Sequence, residues 1–438
     1  MGRRAARGGP RPPLSGRPQG SARPGGRRAE EELRSASPSP GRGARAGTSR
    51  RGGRSRPSPD APILVETVFF HLYDVGRGVD LDKVASYLPA HPDLGIAKRR
   101  DTPASLTMPT PLVIELGESE CTDLGGLECL SSQAKIYEEG VVTMVLRVKS
   151  RLPLRALHTL RALRVTSQDR NLGLEELSEE HFTRIFETLK PAVTEPHSTA
   201  EMDRESYVAY CLREHSEDPA LFIERNRDYC AALLIGEEPG AGLHESQVRA
   251  TLATPFSYRN DDLAVFDLDR CLIIDPRGDY EDLLLIAEHA NYQLLELRVL
   301  DKLLDSWLDE AEDDIRRLSS GGGSRRRGLA GIRDRAEAKV AHIQAVSLDA
   351  LFILENLENS SKIIGDYYLG QVYAKLCEIF NTEGWKWSVE RRLASLQDVY
   401  DMLKADAAER RMVALEVTFI FVCIFFPIIQ IIQVMIGK

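Results

Sequence analysis

The last stretch of the chain constrains everything before it. From Val413 to Ile436 the sequence reads VALEVTFIFVCIFFPIIQIIQVMI, followed by Gly437 and Lys438, and no charged residue occurs between Val417 and Val434. At about 1.5 Å per residue, a helix of this length covers most of the hydrocarbon thickness of a bilayer. Val417, Phe419, Ile420, Phe421, Phe425, Phe426, Ile428 and Ile429 supply the apolar surface. Pro427 introduces a kink of the kind membrane helices tolerate, and Arg410 and Arg411 stand where headgroups would be. The alternative is a buried helix docking in an oligomer. The expectation is a single C-terminal transmembrane anchor over 413–436, since Gly437 and Lys438 offer nothing to cover an apolar helix.

An anchor makes the preceding residues a head held at a membrane surface, and charge bears on what that head meets. The net charge of the 438 residues is −9. Residues 1–60 contain fifteen Arg, no Lys and four acids, a net +11, which leaves −20 for the rest. A head so acidic repels nucleic acid. The Arg, Gly, Pro and Ser of 1–60 bury too little apolar surface to offset the entropy of ordering, so this segment is expected to be disordered. It is open to three readings: an organelle-targeting presequence, a basic tail for RNA or anionic lipid, or an upstream extension of the reading frame. The seven cysteines form no close metal-type pairs, which points to reduced thiols.

From Ile63 the pattern alternates between strand and helix signals. ILVETVFFHLYDVG predicts a strand and turn, Asp80 caps a short helix LDKVASYL, and PLVIELG (Pro111–Gly117) is a further strand. AKIYEEGVVTMVLRV (Ala134–Val148) is read as one strand with a bulge or turn at Glu139-Gly140. LEELSEEHFTRIFETL (Leu174–Leu189) has helical periodicity, with Ser178 as an internal cap. Tyr207–Leu212, Asp228–Gly236 and Asp261–Asp275 are all read as strands. Together these predict an α+β domain over 62–276. From Leu297 apolar residues step by threes and fours, SSGGGSRRRG (Ser319–Gly328) breaks the pattern, and periodicity resumes at Val340 and again at Val389. The expectation for 279–411 is a long, coiled-coil-like antiparallel helical hairpin turning at 319–328.

Few motifs carry chemistry. VFDLDRCLIID (Val265–Asp275) resembles the opening motif of haloacid-dehalogenase-type phosphatases, in which Asp267 would be the nucleophile and Asp269 the general acid, with magnesium between them. Cys271 stands where Thr or Val is usual, and the helical regime that follows leaves no strands to finish the required sheet. Alternation along a single strand would put Asp267 and Asp269 on one face with Val265 and Cys271. YDVGRGVDL (Tyr73–Leu81) lacks both phosphate-loop spacings and is read as a tight turn before the Asp80 cap. The nine histidines are scattered and no GxSxG occurs, so no metal, cofactor or small-molecule substrate is expected.

The order of several short motifs resembles the "required for meiotic nuclear division 1" family. They are Val79-Asp80-Leu81, then Tyr137 with Gly140, Val141 and Val142, the run LELRVLDKLLD (Leu295–Asp305), and Glu409-Arg410-Arg411 ahead of Leu415-Glu416-Val417. The resemblance spans about 62–436. It implies a membrane-anchored protein without catalytic residues to carry over, whose mitochondrial members support organellar translation from the inner membrane. The overall expectation is a non-catalytic scaffold or interaction protein. Its partners would be the lipid bilayer and a protein partner or second copy held through 279–411. The head would lie on the cytoplasmic or matrix side, the side marked by Arg410 and Arg411. A magnesium-dependent phosphatase using Asp267 and Asp269, and an RNA- or ribosome-associated tether using the Arg tail and Arg325–Arg327, are the alternatives.

Overall fold

A computed structural model describes residues 61–87, 95–96, 111–119, 127–167, 170–198, 202–214, 217–320, 348, 351 and 366–436. Residues 1–60, expected to be a disordered tail, lie outside the described residues.

The head is built on an eight-stranded sheet. β1 (Pro62–Asp74) and β6 (Val141–Pro153) are its long central strands, followed on one side by β5 (Leu127–Ile136), β4 (Leu112–Ser119) and β3 (Gly95–Ile96). On the other side lie β10 (Arg204–Leu212), β12 (Arg270–Ile274) and β11 (Leu263–Phe266). Neighbours are antiparallel except β10 and β12, which run parallel. The alternation in β1 sorts its side chains: Val68, Phe70 and Leu72 enter one core, while Val65 and Phe69 enter a second on the opposite face.

Helices α2 (Leu174–Leu189), α3 (Pro219–Arg225) and α4 (Arg227–Ile235) cover that second face with the 3-10 turns of Leu154–Ala162. The starts of α2 and α3 follow capping chemistry. The Glu176 carboxylate accepts the Gly173 amide at 2.7 Å, and the Asp218 carboxylate accepts Ala220 and Leu221 amides at 2.9 and 3.3 Å. Ser178, expected as an internal cap, is buried inside α2 and its hydroxyl lies 3.5 Å from that of Tyr73. Before α1 (Leu81–Tyr87), Asp80 accepts the Lys83 amide at 2.9 Å, as its position predicts.

Three strand assignments are corrected. Asp228–Gly236 is helix α4, closed by Gly236 at φ 91°; its unbroken apolar run, Cys230 to Leu234, is buried, so it carries no period to tell helix from strand. Ala134–Val148 is two strands joined by a tight turn at Gly140, whose φ is 102° and where a Cβ would lie 1.9 Å from the Gly76 carbonyl oxygen. Asp261–Asp275 contains a hairpin, β11 and β12, turning at Asp267-Leu268-Asp269.

The first face of the sheet is covered by α6 (Glu281–Ser320) and α7 (Tyr367–Ile379), whose apolar residues join Val68, Phe70, Val145, Tyr207 and Ile273 in one core. The core therefore runs without interruption past residue 279. α8 (Thr382–Ile436) follows α7 after Asn381, which adopts φ 52°. It packs Val389, Leu393 and Leu396 against Leu297, Leu300 and Leu304 of α6. Ser388 donates to Asp301 at 2.7 Å, and Arg392, one turn further on, pairs with Asp305, one turn further along α6. Residue numbers rise together, so α6 and α8 are parallel. The antiparallel hairpin expected over 279–411 is not seen among the described residues, where α8 runs parallel to α6; residues 321–347, 349–350 and 352–365, including 321–328 of the Gly-rich turn, lie outside the described residues, and Ser319 and Ser320 still belong to α6.

Candidate membrane anchor and buried polar belt

α8 is a single helix of 55 residues whose two ends differ in character. Its first turns are keyed to the head by Arg392, which pairs with Asp301 at 2.9 Å and also with Asp305. Its last turns hold an 18-residue stretch, Leu415–Ile432, long and apolar enough to cross a membrane and with none of it buried. Val417, Phe419, Ile420, Phe421, Phe425, Phe426, Ile428 and Ile429 are all exposed; Phe419 is 69% and Phe426 62% exposed. Pro427 lies within the helix, which continues to Ile436. The side chains of Arg410 and Arg411 lie outside the described residues, although their backbone is helical. From Leu396, buried in the head, to Leu415 is nineteen residues, about 28 Å of helix.

α6 is the opposite kind of helix. Ile286 to Leu295 are buried without exception, although the stretch includes Glu288, His289, Asn291 and Gln293. Side chains of the sheet and of α7, and α6 itself through the Asn291 amide on the Ala287 carbonyl, answer these groups. At the top, the Arg147 guanidinium donates to both oxygens of Glu281, at 2.7 and 2.8 Å, while Tyr280 donates to Glu66. Two turns along, Lys135 pairs with Glu288, and the Tyr137 hydroxyl donates to the other Glu288 oxygen at 2.8 Å. On the α7 side the Gln293 amide donates to Nε2 of His289 at 3.1 Å and accepts from the Tyr373 hydroxyl. Burial pushes the His289 imidazole down to about 4, so it is neutral and can accept this bond. At the far end of the belt, burial pushes the Glu296 carboxyl well above its usual range, assisted by Asp74 and Glu139. The Glu139 carboxyl is raised by its own burial, and Asp74 lies 3.0 Å from Nε2 of His197.

The belt fixes the rotation and height of α6 on the sheet through pairs more than a hundred residues apart. It presents no activated nucleophile. Burial pushes the Cys271 thiol up to about 12 and the Cys211 thiol well up, so both are protonated at neutral pH. The sequence reading missed these residues. The one signal was IAEHANYQLL itself, a stretch with no continuous polar face for water.

Asp267 and Asp269 sit in the β11–β12 turn, not along one strand, and Val265 and Cys271 accordingly enter opposite cores. The Asp267 carboxylate accepts the Leu268 amide at 2.8 Å, and its carboxyl is raised, first by burial and then by Asp269. Asp269 lies 3.5 Å from the Arg270 guanidinium, which donates to the Leu233 carbonyl near the end of α4 at 3.2 Å. The Asp267 carboxylate is thus engaged in the turn and the Asp269 carboxylate faces Arg270. Among the described residues no three His, Cys, Asp or Glu side chains converge as metal ligands.

Residues 65–281, from β1 to the first residue of α6, match the family model described as Uncharacterized protein MJ0711, N-terminal domain. This chain is similar to an uncharacterised protein. Over 249 residues it is 29% identical to Uncharacterized protein MJ0711 of Methanocaldococcus jannaschii, covering 57% of this chain and 71% of that relative. No solved structure matches. The matched family segment contains the sheet, the Asp267–Asp269 turn and the sheet side of the belt, and ends before the apolar stretch of α8.

Proposed function

We propose that this protein is a membrane-tethered, non-catalytic interaction protein that displays its α+β head at a bilayer surface. The reading rests on the exposed 18-residue apolar stretch of α8, continuous with a helix whose other end is locked into the head. An isolated apolar helix could be a flexible tail. One that enters the core of the head transmits the position of the membrane to the whole domain, and its function is to raise the effective concentration of partners there. The resemblance to the "required for meiotic nuclear division 1" family supports the same reading and brings with it organellar translation or membrane organisation as the setting. A protein partner or second copy would meet the helices of 279–411. Arg410 and Arg411 favour a head on the cytoplasmic or matrix side.

The test is carbonate extraction of membranes carrying the full chain or a chain ending at Arg411. The expected result is that the full chain stays with the membrane and the shortened one is soluble. If both are soluble, Leu415–Ile432 is a docking helix and the tether reading fails.

A further inference from the structure

The apolar stretch of α8 is not alike on all sides. Phe421 and Phe425 stack on each other, ring centroids 5.6 Å apart, and make one face wholly apolar. On the opposite face Ile420, Cys423, Pro427 and Gln430 follow one another at steps of three or four residues, all of them exposed. Gln430 is the polar side chain of that face within the stretch proper, and among the described residues it makes no hydrogen bond. Glu416, on the same side, stands at the entry of the stretch, within reach of headgroups and water.

The depth of Gln430 decides what this amide requires. Fifteen residues separate it from Leu415 and six from Ile436, the last residue of α8, about 22 Å and 9 Å of helix. With the stretch seated in a bilayer, the amide lies inside the hydrocarbon. A carboxamide carries one acceptor oxygen and two donor protons, and lipid tails answer neither. Pro427 has no N–H to offer the Cys423 carbonyl, so the same face also carries a backbone acceptor without its usual donor.

The occupant of this face must therefore bring a donor and an acceptor to one depth in the bilayer. A second α8 inserted in the same direction does so, because its own Gln430 stands at that depth. The carboxamide is complementary to itself: about a two-fold axis, each oxygen accepts a proton from the other amide. The residues around it suit close approach as well, since Cys423 and Pro427 are compact where Phe421 and Phe425, on the other side, are bulky.

We propose that two copies of this chain pair in parallel along the Ile420–Cys423–Pro427–Gln430 face of α8, their Gln430 amides hydrogen-bonded to each other. The pairing rests on the tether reading and adds to it a partner within the membrane, met through the span and not through the helices of 279–411.

Cys423 lies on the contact and serves as its reporter. The full chain is reconstituted into phosphatidylcholine vesicles, its retention is checked by carbonate extraction, and copper-phenanthroline oxidation is followed by non-reducing electrophoresis. The expected result is a dimer band that is lost in Cys423→Ala and is not restored by Cys423→Ala with Phe425→Cys, which moves the thiol to the other face. At a lipid dilution where about half of the native chains cross-link, Gln430→Leu is expected to weaken association about three- to thirtyfold while staying carbonate-resistant, and Gln430→Asn to keep most of it. Equal cross-linking from the Phe425→Cys position marks random collision and overturns the proposal, as does the absence of a dimer band or unchanged cross-linking in Gln430→Leu. A native chain that carbonate extracts sinks the tether reading and the pairing together, whereas a resistant chain without Gln430-dependent dimers sinks the pairing alone.

Discussion

Ile286–Leu295 of α6 and Leu415–Ile432 of α8 depart from helix amphipathicity in opposite directions. The first carries Glu288, His289, Asn291, Tyr292 and Gln293 and is entirely buried; the second is almost purely apolar and entirely exposed. In water each would be costly alone. The first is stable because its buried groups have partners: Lys135 and Tyr137 of the sheet for Glu288, Tyr373 of α7 for Gln293, and α6 itself for His289 and Asn291. The second is stable only where something apolar surrounds it. The comparison teaches that the surroundings a helix requires are set by which of its groups lack partners, more than by its mean polarity.

Breaking the buried half should have the largest effect. Glu288→Ala leaves Lys135 against the sheet without its counter-charge and is expected to cost about 3–5 kcal/mol, read by denaturant unfolding in micelles. The Lys135→Met, Glu288→Leu pair should regain most of that loss; if it does not, the pair is not what holds α6 to the sheet. Breaking the exposed half comes next. Ile424→Arg, near the middle of the apolar stretch, is expected to cost about 3 kcal/mol of membrane insertion and shift the chain toward the carbonate-soluble fraction. No shift would place this helix outside a bilayer.

Acid sharpens the same contrast at lower cost. His289 has a folded pKa of about 4 against an ordinary 6.5, so the unfolded chain binds the proton first as pH falls. Stability from this group is intact above about 6.5 and declines toward 4, a loss of about 2 kcal/mol by pH 5. His289→Gln should flatten that part of the pH–stability curve, and an unchanged acid limb would assign it elsewhere. Asp267→Asn should have the smallest effect, within about 0.5 kcal/mol, because asparagine can still accept the Leu268 amide. Magnesium-dependent phosphate release that is present in the native protein and lost in Asp267→Asn would instead make the turn a catalytic site.

The parts of the fold legible in the sequence are those whose cause is local. Alternation in β1, the Asp80 cap and the apolar face of α2 each rest on residues a few positions apart. Where the local pattern is uniform, as in Cys230–Leu234, a buried helix and a buried strand look alike and the reading failed. Turns inside apolar runs are hidden in the same way. Asp267-Leu268-Asp269 looks like the end of a phosphatase strand until β11 and β12 are seen paired across it. The candidate site divides in the same way. The apolar stretch announces itself in eighteen consecutive residues, whereas Glu288 and Lys135 are 153 positions apart and nothing local links them.

The unbroken course of α8 also fixes an angle. Because each residue of an α-helix turns the chain by about 100°, the side of the head that faces any membrane neighbour depends on the number of residues between Leu396 and Leu415. With Leu415–Ile432 seated in a bilayer as proposed, one residue added there would swing the head by more than a quarter turn while moving it only about 1.5 Å from the bilayer, whereas four would nearly restore its facing. Under the proposed tether, the length of this segment would act as a compass setting as well as a measure of height.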